Sequence, residues 1–205
     1  MSQNKDHWEK VYNDRKPDEV SWFQDDPTQS LAMVERAGLP KGARIIDVGG
    51  GASSLVDRLL ALGYSDLSVL DISGKALAYA KERLGASSAN IKWLEVDITR
   101  FTPTEVYDLW HDRAVFHFLT DPADRARYLE GLKRGLRPGG TLVLASFAPD
   151  GPEKCSGLAV CRYGREDILA ALGPEFELLE VEAETHKTPW DTEQRFNYFR
   201  LKFLG

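Results

Sequence analysis

The stretch Ile45-Ile46-Asp47-Val48-Gly49-Gly50-Gly51-Ala52-Ser53-Ser54 decides how this chain reads. Two β-branched residues lead into an acid, one more apolar residue and three glycines. Beyond Ser54, the apolar positions Leu55, Val56, Leu59, Leu60 and Leu62 recur with a helical period. The pattern predicts a buried strand, a tight glycine turn and a helix. Glycine suits such a turn because the backbone can bend sharply and a ligand can approach without meeting a Cβ. The helix start then offers free N–H groups to polar or anionic atoms. A second strand, at 67–70, ends in Asp71, about 20 residues past the turn, where an acid can hold a ribose. The unit reads as a nucleoside-binding half.

Outward from it, strands and helices alternate. Toward the N-terminus, 6–13 reads as a short helix with Trp8, Val11 and Tyr12 on an apolar edge. Residues 17–23 read as extended and end in Trp22-Phe23, either a packing strap or a lid whose Trp22 covers a ligand. A helix opens at Asp26-Pro27-Thr28 and ends at Gly38. Residues 1–30 are thus expected to form an N-terminal helix and strap or lid, and 31–205 a single domain.

Toward the C-terminus, strand one covers 44–48 and the helix 55–62 closes at Gly63. A helix opens at Ser73-Gly74. Residues 90–96 alternate as a third strand that delivers a second acid, Asp97, with Ile98. Residues 107–111 make a fourth strand followed by Asp112-Arg113-Ala114. A helix spans 123–136, Arg137-Pro138-Gly139-Gly140 reads as a turn, and 141–147 as a fifth strand. The long loop 148–163 precedes a helix at 165–172. Two strands, about 176–183 and 196–203, can then pair as a hairpin. Glu180, Glu182 and Glu184 share one face, read as a solvated sheet edge or as partners of Arg200 and Lys202. The expected fold is α/β, a mostly parallel sheet covered by helices on both faces.

Composition bounds the function. The 205 residues, 42% hydrophobic, suffice for one core. A net charge of -6 and the absence of a Lys/Arg run argue against a nucleic-acid partner. No apolar run suits a membrane span and no secretory leader pattern opens the chain, so a cytoplasmic location is expected. Cys155 and Cys161 then read as two thiols in a reducing compartment. The four histidines are scattered, and no metal site is expected.

Taken in order and spacing, these features resemble the class I S-adenosylmethionine-dependent methyltransferases over residues 40–205. Asp47-Val48-Gly49-Gly50-Gly51 resembles the family's glycine-rich first motif, although Ser53 stands where a further glycine is frequent. Asp71 resembles the ribose-binding acid, Asp97-Ile98 the pair beside the adenine, and 107–112 the fourth motif. Leu136-Arg137-Pro138-Gly139-Gly140-Thr141-Leu142 resembles the turn before strand five, and the terminal hairpin the closing antiparallel strand of a seven-stranded, Rossmann-like sheet. A nicotinamide-dependent Rossmann enzyme is the rival; Ser54 occupies its third glycine position.

The resemblance implies S-adenosylmethionine as cofactor and S-adenosylhomocysteine as product. It implies that Asp71 and Ile72 contact the adenosine, Asp97 and Ile98 the adenine, Gly49, Gly50 and Gly51 the methionine part, and Asp47 its ammonium. Trp22 and Asp112 join this cofactor set. His117 and Asp112 are the candidate catalytic residues. A histidine within an apolar run such as Val115-Phe116-His117-Phe118-Leu119 is, however, more often a hydrogen-bonded core residue. His111, Arg113 and Trp190 are candidate acceptor contacts, Arg113 suiting an acidic acceptor; His186 is a further acid/base candidate. Three functions fit: methyl transfer to a small molecule, methyl transfer to a protein lysine, and cofactor binding without turnover.

Overall fold

The computed structural model describes residues 3–205; Met1 and Ser2, the start of the polar leader, lie outside the described residues. Helix α1 (Gln3–Asp14) and a short 3-10 turn (Pro17–Glu19) precede α2 (Thr28–Arg36). Then come β1 (Arg44–Val48), α3 (Leu55–Ala61), β2 (Asp66–Asp71), α4 (Gly74–Leu84), β3 (Ile91–Glu95), β4 (Tyr107–Arg113), α5 (Pro122–Gly135) and β5 (Leu136–Phe147). The last third holds β6 (Lys154–Cys155), β7 (Leu158–Ala159), α6 (Arg165–Leu172), β8 (Phe176–Lys187) and β9 (Glu193–Phe203).

Seven strands form one sheet in the order β3-β2-β1-β4-β5-β9-β8. The pairs β1–β2, β1–β4, β2–β3 and β4–β5 are parallel, and β9 runs antiparallel to both β5 and β8. The C-terminal ends of β1, β2 and β4 therefore meet at one edge, where ligands of open α/β sheets bind.

Buried strands expose alternate residues to opposite faces, so two cores form. Ile46, Val48, Trp110, Leu142 and Leu144 pack on Tyr128 and Leu132 of α5 and Ile168 and Leu172 of α6. Ile45, Val69, Leu109, Val143 and Ala145 pack on Met33 of α2, on Leu55 and Leu59 of α3 and on Leu77 of α4.

Three expectations need correction. The turn at 137–140 lies inside β5: the register jumps from Tyr107↔Leu136 to Leu109↔Thr141, so these residues bulge outward, with Gly139 at φ +76°. The loop 148–163 contains the small β6–β7 hairpin. The terminal strands extend to 187 and from 193, and their acidic row is not a solvated edge. Glu180 pairs with Arg200 at 2.9 Å, Arg36 of α2 bonds Glu180 and Glu182, Gln29 bonds Glu182, and Gln24 bonds Glu184 at 3.0 Å. The row holds α2 and the strap against the sheet.

Candidate active site

The first strand delivers Asp47 and then the turn. Gly49 sits at φ +71°, its N–H donating to the Leu70 carbonyl at 2.7 Å. A Cβ on Gly51 would lie 2.4 Å from Asp71 Oδ2 and 2.7 Å from Ala76 Cβ. Only glycine lets β1's turn lie this close to the end of β2.

Two cavities open at this edge. The first encloses about 830 Å³, part of it open to solvent, and is walled by Asp71, Ile72, Asp97 and Ile98 from the sheet side and by Asn4, Trp8, Tyr12 and Trp22 from the N-terminal segment. Val115, Phe118 and Cys155 complete it. The second, about 580 Å³, lies over Gly49 and Gly50 and is walled by Asp47, Ser30, His111 and Ser53, with Val20 and Phe23 of the strap. Tyr12, Trp22, Gly49 and Arg113 line both and stand where the two adjoin. A third, shallower groove of about 730 Å³ runs between Phe23–Asp26 and Glu184–Lys187.

In the first cavity, Asp71 Oδ1 accepts from the Ser73 N–H at 2.8 Å. Burial, reinforced by the Asp47 and Glu9 charges, pushes its carboxyl up to about 7 against the hydrogen bonds from the Ser73 and Gly51 N–H groups. Asp97 caps the turn at Ile98–Arg100, accepting from the Thr99 N–H at 3.0 Å and hydroxyl at 2.8 Å. Helix α1 covers this cavity. Trp8 meets Trp22 and Phe118 edge-on at 5.5 and 5.1 Å, and Glu9 accepts from the Gly74 N–H at the start of α4 at 2.7 Å. Tyr12 accepts from the Trp22 indole N–H at 3.2 Å. Trp22 is thus packed on α1 and also faces both cavities.

In the second cavity, Asp47 Oδ1 lies 2.7 Å from His111 Nδ1, and His111 Nε2 lies 2.9 Å from Ser30 Oγ. Asp47 Oδ2 is buried without a hydrogen-bond partner in the chain. A Cβ on Gly50 would lie 2.4 Å from it.

The candidate residues fall into two groups. Trp22, Asp47, Gly49, Gly50, Asp71, Ile72, Asp97, Ile98, His111 and Arg113 come together around the cavities, and Gly51 backs Asp71. Asp112, His117 and Trp190 line none of the three. Asp112 points to the other sheet face, the consequence of strand alternation next to His111 and Arg113. Its carboxylate accepts from the Tyr128 hydroxyl at 2.7 Å and from the Val115 and Phe116 N–H groups. Burial raises it to about 6 against those bonds, and the backbone bonds order the turn after β4. His117 is fully buried, neither ring nitrogen has a hydrogen-bond partner, and it packs on Phe118 and Phe147. Burial, with the Arg113 charge, lowers it to about 3. It is a core residue without the hydrogen bond expected for one, and this burial gives no support to the catalytic role. Trp190 is 54% exposed, with Arg15 over its ring. His186 Nε2 donates to the Ser21 carbonyl, 2.8 Å away, and the residue lines the shallow groove.

Sequence reasoning passed over Trp8, Tyr12, Ser30 and Cys155 as site residues. Trp8 and Tyr12, four apart on one helical face, carried a signal. Ser30 and Cys155 carried none, because only the tertiary fold brings them here. Both cysteines are free thiols, and burial pushes Cys155 up to about 12.

Comparison with known proteins agrees with this geometry. The methyltransferase domain family matches residues 45–140. Nodulation protein S of Bradyrhizobium diazoefficiens is 30% identical over 152 residues, covering 74% of this chain and 69% of that protein. EEF1A lysine methyltransferase 2 of Danio rerio is 25% identical over 167 residues, covering 77% and 65%. The chain spans about half the length of several other curated relatives it matches. The solved N-methyltransferase NodS from Bradyrhizobium japonicum WM9, in complex with S-adenosyl-L-homocysteine, shares the fold with a TM-score of 0.71 and 20% identity, over 96% of this chain and 98% of that one. Among the described residues no helix is long and apolar enough to cross a membrane. Sheet order, glycine turn, strand-end acids and relatives converge: the chain belongs to the class I S-adenosylmethionine-dependent methyltransferase family.

Proposed function

We propose that this chain transfers a methyl group from S-adenosylmethionine to a small nucleophilic acceptor. One observation carries the reading: two cavities adjoining at Gly49, with Asp71 and Asp97 in one and the free Asp47 oxygen in the other. The residues fit the cofactor. Asp71 would take the ribose hydroxyls, and Ile72, Asp97 and Ile98 would hold the adenine. The unpaired Asp47 Oδ2, beside a Gly50 that leaves room for no side chain, suits the methionine ammonium. When bound, the cofactor would supply a sulfonium methyl whose carbon an acceptor can attack in line, with the thioether sulfur as leaving group. The chain's part is to place the acceptor and exclude water, and proximity of this kind can supply several kcal/mol, on the order of 7 or more.

Residues up to about 30 form the cover: Trp8, Tyr12 and Trp22 close over the cavities, so cofactor and acceptor enter when that segment lifts. His111, bonded between Asp47 and Ser30, faces the second cavity as an acceptor or cofactor contact. A second reading, transfer to a protein lysine, is supported by the likeness to a lysine methyltransferase and by the shallow groove with Asp25, Asp26 and Glu184 along it.

Calorimetric titration with S-adenosylmethionine tests the core of this. Micromolar binding that is lost in Asp71→Ala supports the cofactor and its ribose contact; no binding by folded wild-type chain refutes it. Transfer of labelled methyl groups to dialysed small-molecule extract, against transfer to protein fractions, separates the two readings. Binding without any transfer would identify a sensor instead of an enzyme.

A further inference from the structure

Arg113 closes β4 where the cavities adjoin, the passage that a cofactor spanning both would occupy, and is, among the described residues, the one charged side chain that lines both. It is fixed on several sides. Its Nε donates to the Tyr198 hydroxyl at 2.8 Å, Nη1 donates to the Trp22 carbonyl at 3.0 Å, and the guanidinium lies 4.6 Å from the Phe196 ring centre. Its side chain is only 11% exposed, and Nη2 is buried with no hydrogen-bond partner. The nearest carboxylate, Glu184, stands 3.9 Å from Nη2, and its oxygens already accept from Gln24 and Tyr198.

A buried guanidinium whose two Nη2 N–H groups meet only a carboxylate 3.9 Å away is under-satisfied, since a buried polar group without a hydrogen bond loses its hydration uncompensated. The same charge lowers the affinity of His117 and His186 for a proton and favours the anions of Cys155 and Tyr198, with Glu184 opposing it at His186 and Tyr198. On the methyl-transfer reading, the passage is where the adenosine and methionine ends of the cofactor meet, so the sulfonium brings a second positive charge beside Arg113. An anion is the partner that relieves both.

On that reading, we infer that Arg113 is an acceptor-binding residue and that the acceptor carries an anionic group, a carboxylate or thiolate, received by the guanidinium. The lone pair of the acceptor forms the new bond to the methyl carbon as the carbon–sulfur bond breaks, and that pair stays on sulfur. Where the anionic group is itself the nucleophile, the products are a neutral methylated compound and neutral S-adenosylhomocysteine, with no proton to remove. This accords with a passage that offers no unpaired histidine. A protonated lysine or other cationic acceptor is repelled from it.

The first test needs no acceptor. Neutral S-adenosylhomocysteine should bind the wild-type chain more tightly than S-adenosylmethionine, by a factor on the order of ten for two like charges across a partly buried site. In Arg113→Gln that ratio should shrink to about twofold, and in Arg113→Lys, which keeps the charge, it should persist. The second test follows tritiated methyl transfer to matched carboxylates, thiols, alcohols, amines and a lysine-rich peptide. Transfer should favour the anionic members, with kcat/KM falling about tenfold or more in Arg113→Gln, the loss of a charge-assisted hydrogen bond. If Arg113→Gln does not fold, benzoate added to wild type decides: it should tighten binding of S-adenosylmethionine more than that of S-adenosylhomocysteine, and benzylamine should not. An unchanged ratio in Arg113→Gln, or undiminished transfer to the carboxylates and thiols in that variant, overturns the inference alone. Binding of neither compound to folded wild type overturns the methyl-transfer reading together with it.

Discussion

Replacing Asp71 by Asn should stabilise the protein near pH 8 while removing cofactor binding. The carboxyl sits at the end of β2 beneath α1, and burial, aided by the Asp47 and Glu9 charges, pushes it from its ordinary 3.8 up to about 7. Between those values the folded chain holds a proton that the unfolded chain has lost, so stability is full below pH 4 and falls as pH rises toward 7. At ~1.4 kcal/mol per pH unit, the carboxylate costs the empty protein about 4 kcal/mol at pH 8. Asn carries no charge and keeps one acceptor, for the Ser73 N–H; losing the bond from the Gly51 N–H costs about 1 kcal/mol. The net expectation is a gain of about 3 kcal/mol at pH 8 and a loss of about 1 kcal/mol at pH 4. Urea unfolding of both proteins across that range measures it. Because ribose hydroxyls donate to an ionised acceptor, wild-type cofactor affinity should rise as pH passes 7 and binding should release a proton, counted by calorimetry in two buffers of different ionisation enthalpy. Parallel stability curves for the two proteins, or a variant weaker at every pH, would refute the reasoning.

Gly50→Ala would place a Cβ 2.4 Å from Asp47 Oδ2 and 3.0 Å from Val69 Cγ1, and thermal unfolding should show a loss of about 1–3 kcal/mol along with lost cofactor binding. Trp8→Ala removes the edge-on contacts with Trp22 and Phe118 that close the cavity, worth about 1 kcal/mol each, along with a third to His7, so S-adenosylhomocysteine should bind about tenfold more weakly to a chain whose circular dichroism is unchanged. His117 is lowered from 6.5 to about 3 by burial and by Arg113, so the unfolded chain takes up a proton first and stability falls as pH drops below 6.5. In His117→Phe that acid-side slope should flatten while methyl transfer stays within about threefold, within the span of a 1 kcal/mol perturbation; a hundredfold drop in kcat in a folded variant would restore the residue as a catalyst.

The adenosine half of the site was legible because its rules are local. A strand, a glycine turn, a helix and a strand-end acid must follow one another at fixed spacing, and Asp47, Asp71 and Asp97 lie at the ends of neighbouring strands for that reason. The acceptor side was less so. His111 and Arg113 alternate with Asp112, and one-residue alternation decides which of them meets a ligand; that depends on the register of β4, which the sequence leaves open by one residue. His117 and Phe118 differ likewise, one in the core and the other at the cavity. The acidic row on β8 read as solvated because Arg36 and Gln29, its partners, stand about 150 residues earlier. Cys155 reaches the site only through the β6–β7 hairpin, whose two-residue strands are too short to show a period.

The position of β9 has a consequence for how such a chain is made. It is last in sequence but sixth of seven across the sheet, wedged between β5 and β8. A chain emerging N-terminus first can assemble β1 to β5 early, yet the far edge of β5, from Thr141 to Phe147, waits for Lys202 to Phe196. Strand β8 emerges sooner and has no partner until its neighbour arrives. Synthesis interrupted before residue 193 would leave an open, largely apolar strand edge, the kind that recruits a second chain. For this protein the risk of aggregation is concentrated in the interval between synthesis of β5 and synthesis of β9, and premature stop codons within β9 should yield insoluble product instead of a weakened protein.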